Sequence, residues 1–199
     1  MLYTLKSYLK FLLTSTNEHG VHSPFVFALL TKCIYKKENI DKKLKTLLTH
    51  QHPKEKQGIR SKKKQLILYK IASYFKSSEI FVLGKSKNTK ELISLARPNS
   101  CVTVAEDFEM QFCEKEFDLV VIDTTNGIYN TVAFFEKILQ SAHKNCVFIF
   151  EGIYTTSAHT RAWQDIISST EVSVSIDGFN LGLVFLKKGQ EKQHFTLRL

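Results

Sequence analysis

Gly84, Ser86, Glu106 and Asp123 are the residues whose types and spacing could do chemistry in this chain. Gly84 stands between a short apolar run, Ile80-Phe-Val-Leu83, and a helical pattern carried by Leu92, Ile93, Leu95 and Ala96. A glycine between strand and helix lets backbone approach a ligand closely, and the free N–H groups and dipole of the helix start suit an anionic or polar cofactor. Ser86 lies in the same turn. Glu106 closes a second apolar run about 20 residues later, where a nucleotide-binding sheet places its acceptor for ribose hydroxyls. Asp123 ends a third run, Phe117-Asp-Leu-Val-Val-Ile122, and open α/β sheets hold ligands at such carboxyl strand ends. Together these positions outline recognition of a nucleotide-type cofactor. Each has an ordinary structural reading as well: a βα turn with one glycine, and a solvated acid pair, Glu106-Asp107, at a strand end.

The elements that must hold these residues follow from hydrophobic periodicity. Leu2, Leu5, Leu9, Leu12 and Leu13 share one helical face, with Lys6 and Lys10 read as opposite, so the chain opens on an amphipathic helix. Ser23-Pro24 starts a second helix running to about Lys37, since proline at the first helical position forfeits no hydrogen bond. Asp41 to Lys64 is lysine-rich and reads as a weak helix followed by an exposed linker; Gln65 to Phe75 is helical again. Asn88 fits the cap of the helix after Gly84, with Glu91 three residues on. Strands are expected at Cys101–Ala105, Phe117–Ile122 and Cys146–Phe150, with a helix from Tyr129 to Ala142 and another capped by Ser157 and facing inward through Trp163, Ile166 and Ile167. Val172–Asp177 and Leu181–Lys187 are joined by three residues, too few for a parallel crossover, so they form an antiparallel hairpin. Gln193–Leu199 alternates as a strand that covers a sheet edge or a partner's.

Only Phe108 to Glu116 separates the second strand from the third, and a parallel crossover takes about a dozen residues. No additional strand fits there. The fold class is therefore α/β: a Rossmann-like, doubly wound, mostly parallel sheet of about six strands ending in an antiparallel hairpin. The organisation is an N-terminal helical extension and basic linker over residues 1–64, the sheet domain over 65–189 and a strand-like tail over 190–199.

The totals agree with one packed domain: 199 residues, 43% of them hydrophobic. Cys33, Cys101, Cys113 and Cys146 form no CxxC or Cys/His cluster and read as buried thiols in a reducing cytosol. His19 and His22 lack a carboxylate or cysteine at ligand spacing, so they read as hydrogen-bonded where two helices join, and no metal site is expected. No apolar run reaches the ~18 residues of a membrane span, and Lys6 and Lys10 interrupt any signal-peptide form. A cytoplasmic protein with no membrane partner is the expectation. The net charge of +9 is uneven: residues 1–100 hold 20 Lys/Arg against 6 Asp/Glu, residues 101–199 hold 8 against 13. Lysines far outnumber arginines and no aromatic platform is interleaved, so a solvated lysine-rich surface is favoured over nucleic-acid binding.

A parallel sheet finishing in an antiparallel hairpin resembles the class I S-adenosylmethionine-dependent methyltransferases. His19-Gly-Val-His-Ser-Pro-Phe25, Asp118-Leu-Val-Val-Ile-Asp123, Ala162-Trp163 and Lys192-Gln-His-Phe-Thr-Leu-Arg198 further resemble a methyltransferase-like family common in Bacteroidetes. The resemblance implies S-adenosylmethionine held at Gly84, Ser86, Glu106 and Asp123, with Glu106 on the ribose. It makes Asp123, Glu151 or Tyr154 candidates for orienting a methyl acceptor, and it leaves catalytic residues unassigned. The chain departs from the pattern at Val82, where the family has an acid, and at Asn88, where it has a second glycine. It departs again at Thr124-Thr-Asn126 and Glu151-Gly-Ile-Tyr154. The short Phe108–Glu116 link also lacks the edge strand whose following loop closes over adenine. With these departures the resemblance predicts a degenerate member acting as an interaction module through its N-terminal helices, basic face or tail, with homodimerisation through the helices or tail. An active methyltransferase and an RNA-binding lysine-rich half are the alternatives.

Overall fold

A computed structural model describes residues 2–37, 40, 42–49, 62–84, 87–106, 116–124, 131–187 and 189–199. The chain opens with α1 (Leu2–Thr14), a 3-10 turn at Glu18–Gly20, and α2 (Pro24–Leu29), which passes into a π-helical turn at Leu30–Ile34. Then follow α3 (Lys42–Thr49), α4 (Lys62–Tyr74), β1 (Glu79–Leu83), α5 (Lys87–Ala96), β2 (Cys101–Ala105), β3 (Phe117–Asp123), α6 (Thr131–Leu139), β4 (Ala142–Glu151), α7 (Ser157–Ser168), β5 (Val174–Asp177), β6 (Leu181–Phe185) and β7 (Gln193–Thr196).

The strands form one seven-stranded sheet in the order β2-β1-β3-β4-β6-β5-β7. β2, β1, β3 and β4 run parallel, and β6 is antiparallel to both β4 and β5. This is the doubly wound sheet with a terminal hairpin that the periodicity predicts. The tail adds a seventh strand, because β7 pairs in parallel with β5 and covers an edge of its own sheet. Thr16 extends that edge, its N–H donating to the Thr196 carbonyl and its own carbonyl accepting the Arg198 N–H, both at 3.0 Å, and Tyr35 donates its hydroxyl to the Arg198 carbonyl at 2.8 Å. At the other edge, β2 is the last strand among the described residues, and Val104 there is exposed. Most of the Phe108–Glu116 link lies outside the described residues.

Alternation along each strand divides the core in two. Ile80, Val82, Leu119, Val121, Val147 and Ile149 face one layer, where Val26, Leu29 and Leu30 of the N-terminal helices pack with Leu68 and Ile71 of α4. Phe81, Leu83, Val120, Ile122, Phe148 and Phe150 face the other, against Phe134 and Phe135 of α6 and Trp163 of α7. The N-terminal extension thus shares a core with the sheet. Trp163 packs so closely on β6 that a Cβ at Gly182 would sit 2.6 Å from the indole ring.

Several local expectations need correction. Asn88 lies inside α5 and is not its cap. The buried stripe of that helix begins at Thr89, a turn before the apolar pattern, and winds the helix from Lys87. The cap of α7 is Thr156, not Ser157: its hydroxyl accepts the His159 N–H three residues on. α6 stops at Leu139, and β4 begins at Ala142, four residues ahead of Cys146. Cys33 and Cys146 are buried as expected, but Cys101 is exposed because β2 is an edge strand; Cys113 lies outside the described residues. The face of α1 is inverted. Its leucines are exposed, Phe11 is its buried residue, and Lys6 and Lys10 border the leucines instead of opposing them.

Candidate functional site

Four strands present a carboxylate at the same edge of the sheet. Glu106 follows β2, Asp123 ends β3, Glu151 ends β4 and Asp177 ends β5. Gly84 follows β1 between the first two. Its N–H donates to the Ala105 carbonyl at 2.8 Å, and at φ +131° it adopts backbone that other residues rarely take. A Cβ at Gly84 would stand 2.8 Å from the Asp123 Cβ, so glycine is what lets β1 turn past that carboxylate. The structure therefore brings Gly84, Glu106 and Asp123 to one edge. Ser86 lies outside the described residues. Glu106 is exposed and Asp123 partly so. Val82 points the other way, 1% exposed in the layer under α4 and α5, so an acid at that position would be buried among aliphatic side chains.

The other half of the edge is densely bonded. Glu151 sits in register with Asp123 and is 1% exposed; Lys64, in the first turn of α4, reaches it with Nζ 3.2 Å from Oε2. Thr124 donates its hydroxyl to the Glu151 carbonyl and offers its own carbonyl to His159 Nε2 at 2.8 Å. His159 Nδ1 meets the Thr156 hydroxyl at 2.7 Å, so the ring donates from Nε2 and accepts at Nδ1. Tyr154 donates its hydroxyl to Asp177 Oδ2, and the Phe179 N–H donates to Oδ1 at 2.9 Å. Burial raises the Asp177 carboxyl above its ordinary range, while those two donors pull it back. Burial, with the Asp177 bond, raises the Tyr154 phenol well above its ordinary value. Tyr154 thus remains a committed donor at neutral pH. Its ring stacks on Phe179 at 4.9 Å, and Phe179 holds φ 64°, a strained backbone for a bulky residue.

Lys64, His159 and Asp177 are the residues sequence reasoning missed. Lys62-Lys63-Lys64 at a helix start opposes the helix dipole, which is the signal that one of them has a local anion. Asp177 interrupts an apolar hairpin strand. His159 is betrayed only by its place three residues after a capping threonine. His19 is largely exposed and lies 3.8 Å from Glu18, and His22 is exposed; neither joins the edge. Among the described residues no three His, Cys, Asp or Glu side chains converge as metal ligands.

Solved structures place this arrangement. A Podospora anserina methyltransferase, PaMTH1, bound to S-adenosylhomocysteine, superposes over 84% of this chain and 97% of its own, with a TM-score of 0.55 at 10% identity. The O-methyltransferase TomG of Streptomyces achromogenes, bound to S-adenosylmethionine, superposes over 81% of this chain and 95% of its own, with a TM-score of 0.51 at 12% identity. The fold is that of class I methyltransferases. The chain spans 54% of the plantazolicin methyltransferase BpumL at a TM-score of 0.38 and 14% identity. No family model matches the chain, and no curated protein matches it.

Gly84, with no Cβ, leaves room beside the Asp123 side chain, and Glu106 is an exposed carboxylate after the neighbouring strand. The carboxyl end of β1 carries no acid, with Val82 and Leu83 both buried, and at the end of β4 Glu151 pairs with Lys64.

Proposed function

We propose that this protein keeps the methyltransferase fold with a reduced cofactor site and works as an interaction module, not as a catalyst. The Lys64–Glu151 pair carries the reading. Methyl transfer is an in-line displacement that needs the acceptor beside the cofactor's sulfonium, at the carboxyl ends of the central strands. At the end of β4 that space is committed to a buried ion pair of the chain's own, and Glu151 spends its charge on Lys64. Tyr154, whose hydroxyl is given to Asp177, has no proton-accepting role at neutral pH.

An active methyltransferase is the second reading, favoured by the Gly84–Asp123 cradle and by Glu106 on the neighbouring strand. Displacement at an activated sulfonium draws most of its acceleration from positioning, so a dedicated base is not required. Isothermal titration with S-adenosylmethionine and S-adenosylhomocysteine separates the two. The interaction reading predicts no saturable heat at ligand concentrations up to about 1 mM, an affinity of roughly −4 kcal/mol or weaker. Micromolar binding together with release of S-adenosylhomocysteine in the presence of an acceptor would establish the second.

A further inference from the structure

α1 presents its apolar side outward. Leu2, Leu5, Leu9, Leu12 and Leu13 occupy an arc of about 100° on the helix, with exposures of 83%, 57%, 55%, 36% and 87%. The opposite side fixes the helix to the body. Phe11 is buried, and Phe11 and Tyr8 pack on Phe179 at 5.4 and 4.9 Å. Tyr3 donates to the Thr160 hydroxyl at 2.9 Å, and Arg198 Nη2 donates to the Leu12 carbonyl at 3.1 Å. A surface helix ordinarily turns its apolar stripe to the core; this one is held rigidly with the stripe in water.

We propose that α1 docks the protein onto an anionic membrane surface. Charge selects this occupant. Lys6 and Lys10 border the leucines, α1 contains no acidic residue, and the first 100 residues carry 20 basic against 6 acidic side chains. Leucines at the acyl boundary and lysines at headgroup level are the make-up of an in-plane interfacial helix. No described helix is long and apolar enough to cross a membrane, and a surface helix has no need to be. A second copy fits less well: antiparallel α1 pairing about a two-fold axis sets the lysine flank of one helix against the same flank of the other. The inference gives the interaction reading its partner but rests on α1 alone, so it survives if the cofactor proves to bind.

The test is co-sedimentation of the full chain with phosphatidylcholine vesicles, with and without phosphatidylglycerol, at low and high salt. Docking predicts binding to the phosphatidylglycerol vesicles that weakens with salt and disappears in Leu5→Glu/Leu9→Glu. Lys6→Gln/Lys10→Gln should reduce partitioning about thirtyfold, the effect of two lysine charges at an anionic surface. Both variants should retain circular dichroism and thermal midpoint, since the altered side chains are exposed. Absence of vesicle binding, or binding indifferent to the leucine changes, overturns the proposal. So does a dimer in light scattering that the leucine variant dissolves, which would make the occupant a second copy.

Discussion

The two halves of the sheet's carboxyl edge are built to different standards. From β3 to β5, Asp177, Tyr154, Glu151, Lys64, Thr124 and His159 are tied into ion pairs and hydrogen bonds under buried conditions. From β2 to β1, Gly84 holds a tight turn, Glu106 lies in water and β2 ends the described sheet. The bonded half serves rigidity, since its polar groups answer one another. In the open half the described acid, Glu106, is exposed to solvent.

The strongest way to break that contrast is Lys64→Ala. Removing one member of a buried ion pair leaves the buried Glu151 carboxylate without its Lys64 counter-charge and costs about 3–5 kcal/mol, which urea unfolding would read directly. Lys64→Met combined with Glu151→Leu should recover most of it, because matched apolar replacements of buried pairs are near neutral. A loss below ~1 kcal/mol for Lys64→Ala would mean the pair behaves as a surface one, and the bonded half would lose its distinction.

Gly84→Ala comes next and probes the open half at a tightly built point. Positive φ penalises any Cβ, and here that atom would also meet Asp123 at 2.8 Å. A loss of about 2 kcal/mol is expected in thermal unfolding. An unchanged midpoint would show that the β1 turn opens freely and that the cradle has no fixed geometry.

The fold was largely legible in the sequence because its signals are strong and local. Apolar runs at Ile80–Leu83 and Phe117–Ile122 can only be buried strands, and three residues between Asp177 and Leu181 force an antiparallel return. The edge positions of Gly84, Glu106 and Asp123 follow from the same logic, since residues after parallel strands converge. The bonded half was not legible. Lys64 meets Glu151 across 87 positions of chain, and Tyr154 meets Asp177 across 23 positions that include α7, so no spacing rule connects either pair. The orientation of α1 was also hidden: periodicity finds an apolar face but does not say which way it turns.

Tyr154→Phe is smaller and depends on pH. It removes one of two donors to a buried carboxylate, at about 1–3 kcal/mol. Asp177 has a raised pKa when folded, so its favourable contribution is fully present below the unfolded value of 3.8 and is lost as pH rises through the folded value. Without the Tyr154 hydroxyl the folded value rises further. The deficit of the variant should therefore vanish at acid pH and grow toward neutrality, in denaturation series run at several pH values. A deficit constant across that range would assign the loss to packing against Phe179 instead of to the hydrogen bond.

Glu106→Gln should have the least effect, and its smallness is informative. The side chain is exposed at the end of an edge strand, so its replacement belongs with surface changes of within about 0.5 kcal/mol. The same substitution in the bonded half, Glu151→Gln, would strand Lys64 against a neutral amide and lose far more. If Glu106→Gln leaves the thermal midpoint in place but abolishes a saturable S-adenosylhomocysteine signal, Glu106 is a ligand group waiting on its ribose, and the open half is a working cofactor site. If neither midpoint nor titration moves, the carboxylate is a solvated strand end. The asymmetry of the edge then reflects a cofactor half with nothing left to hold.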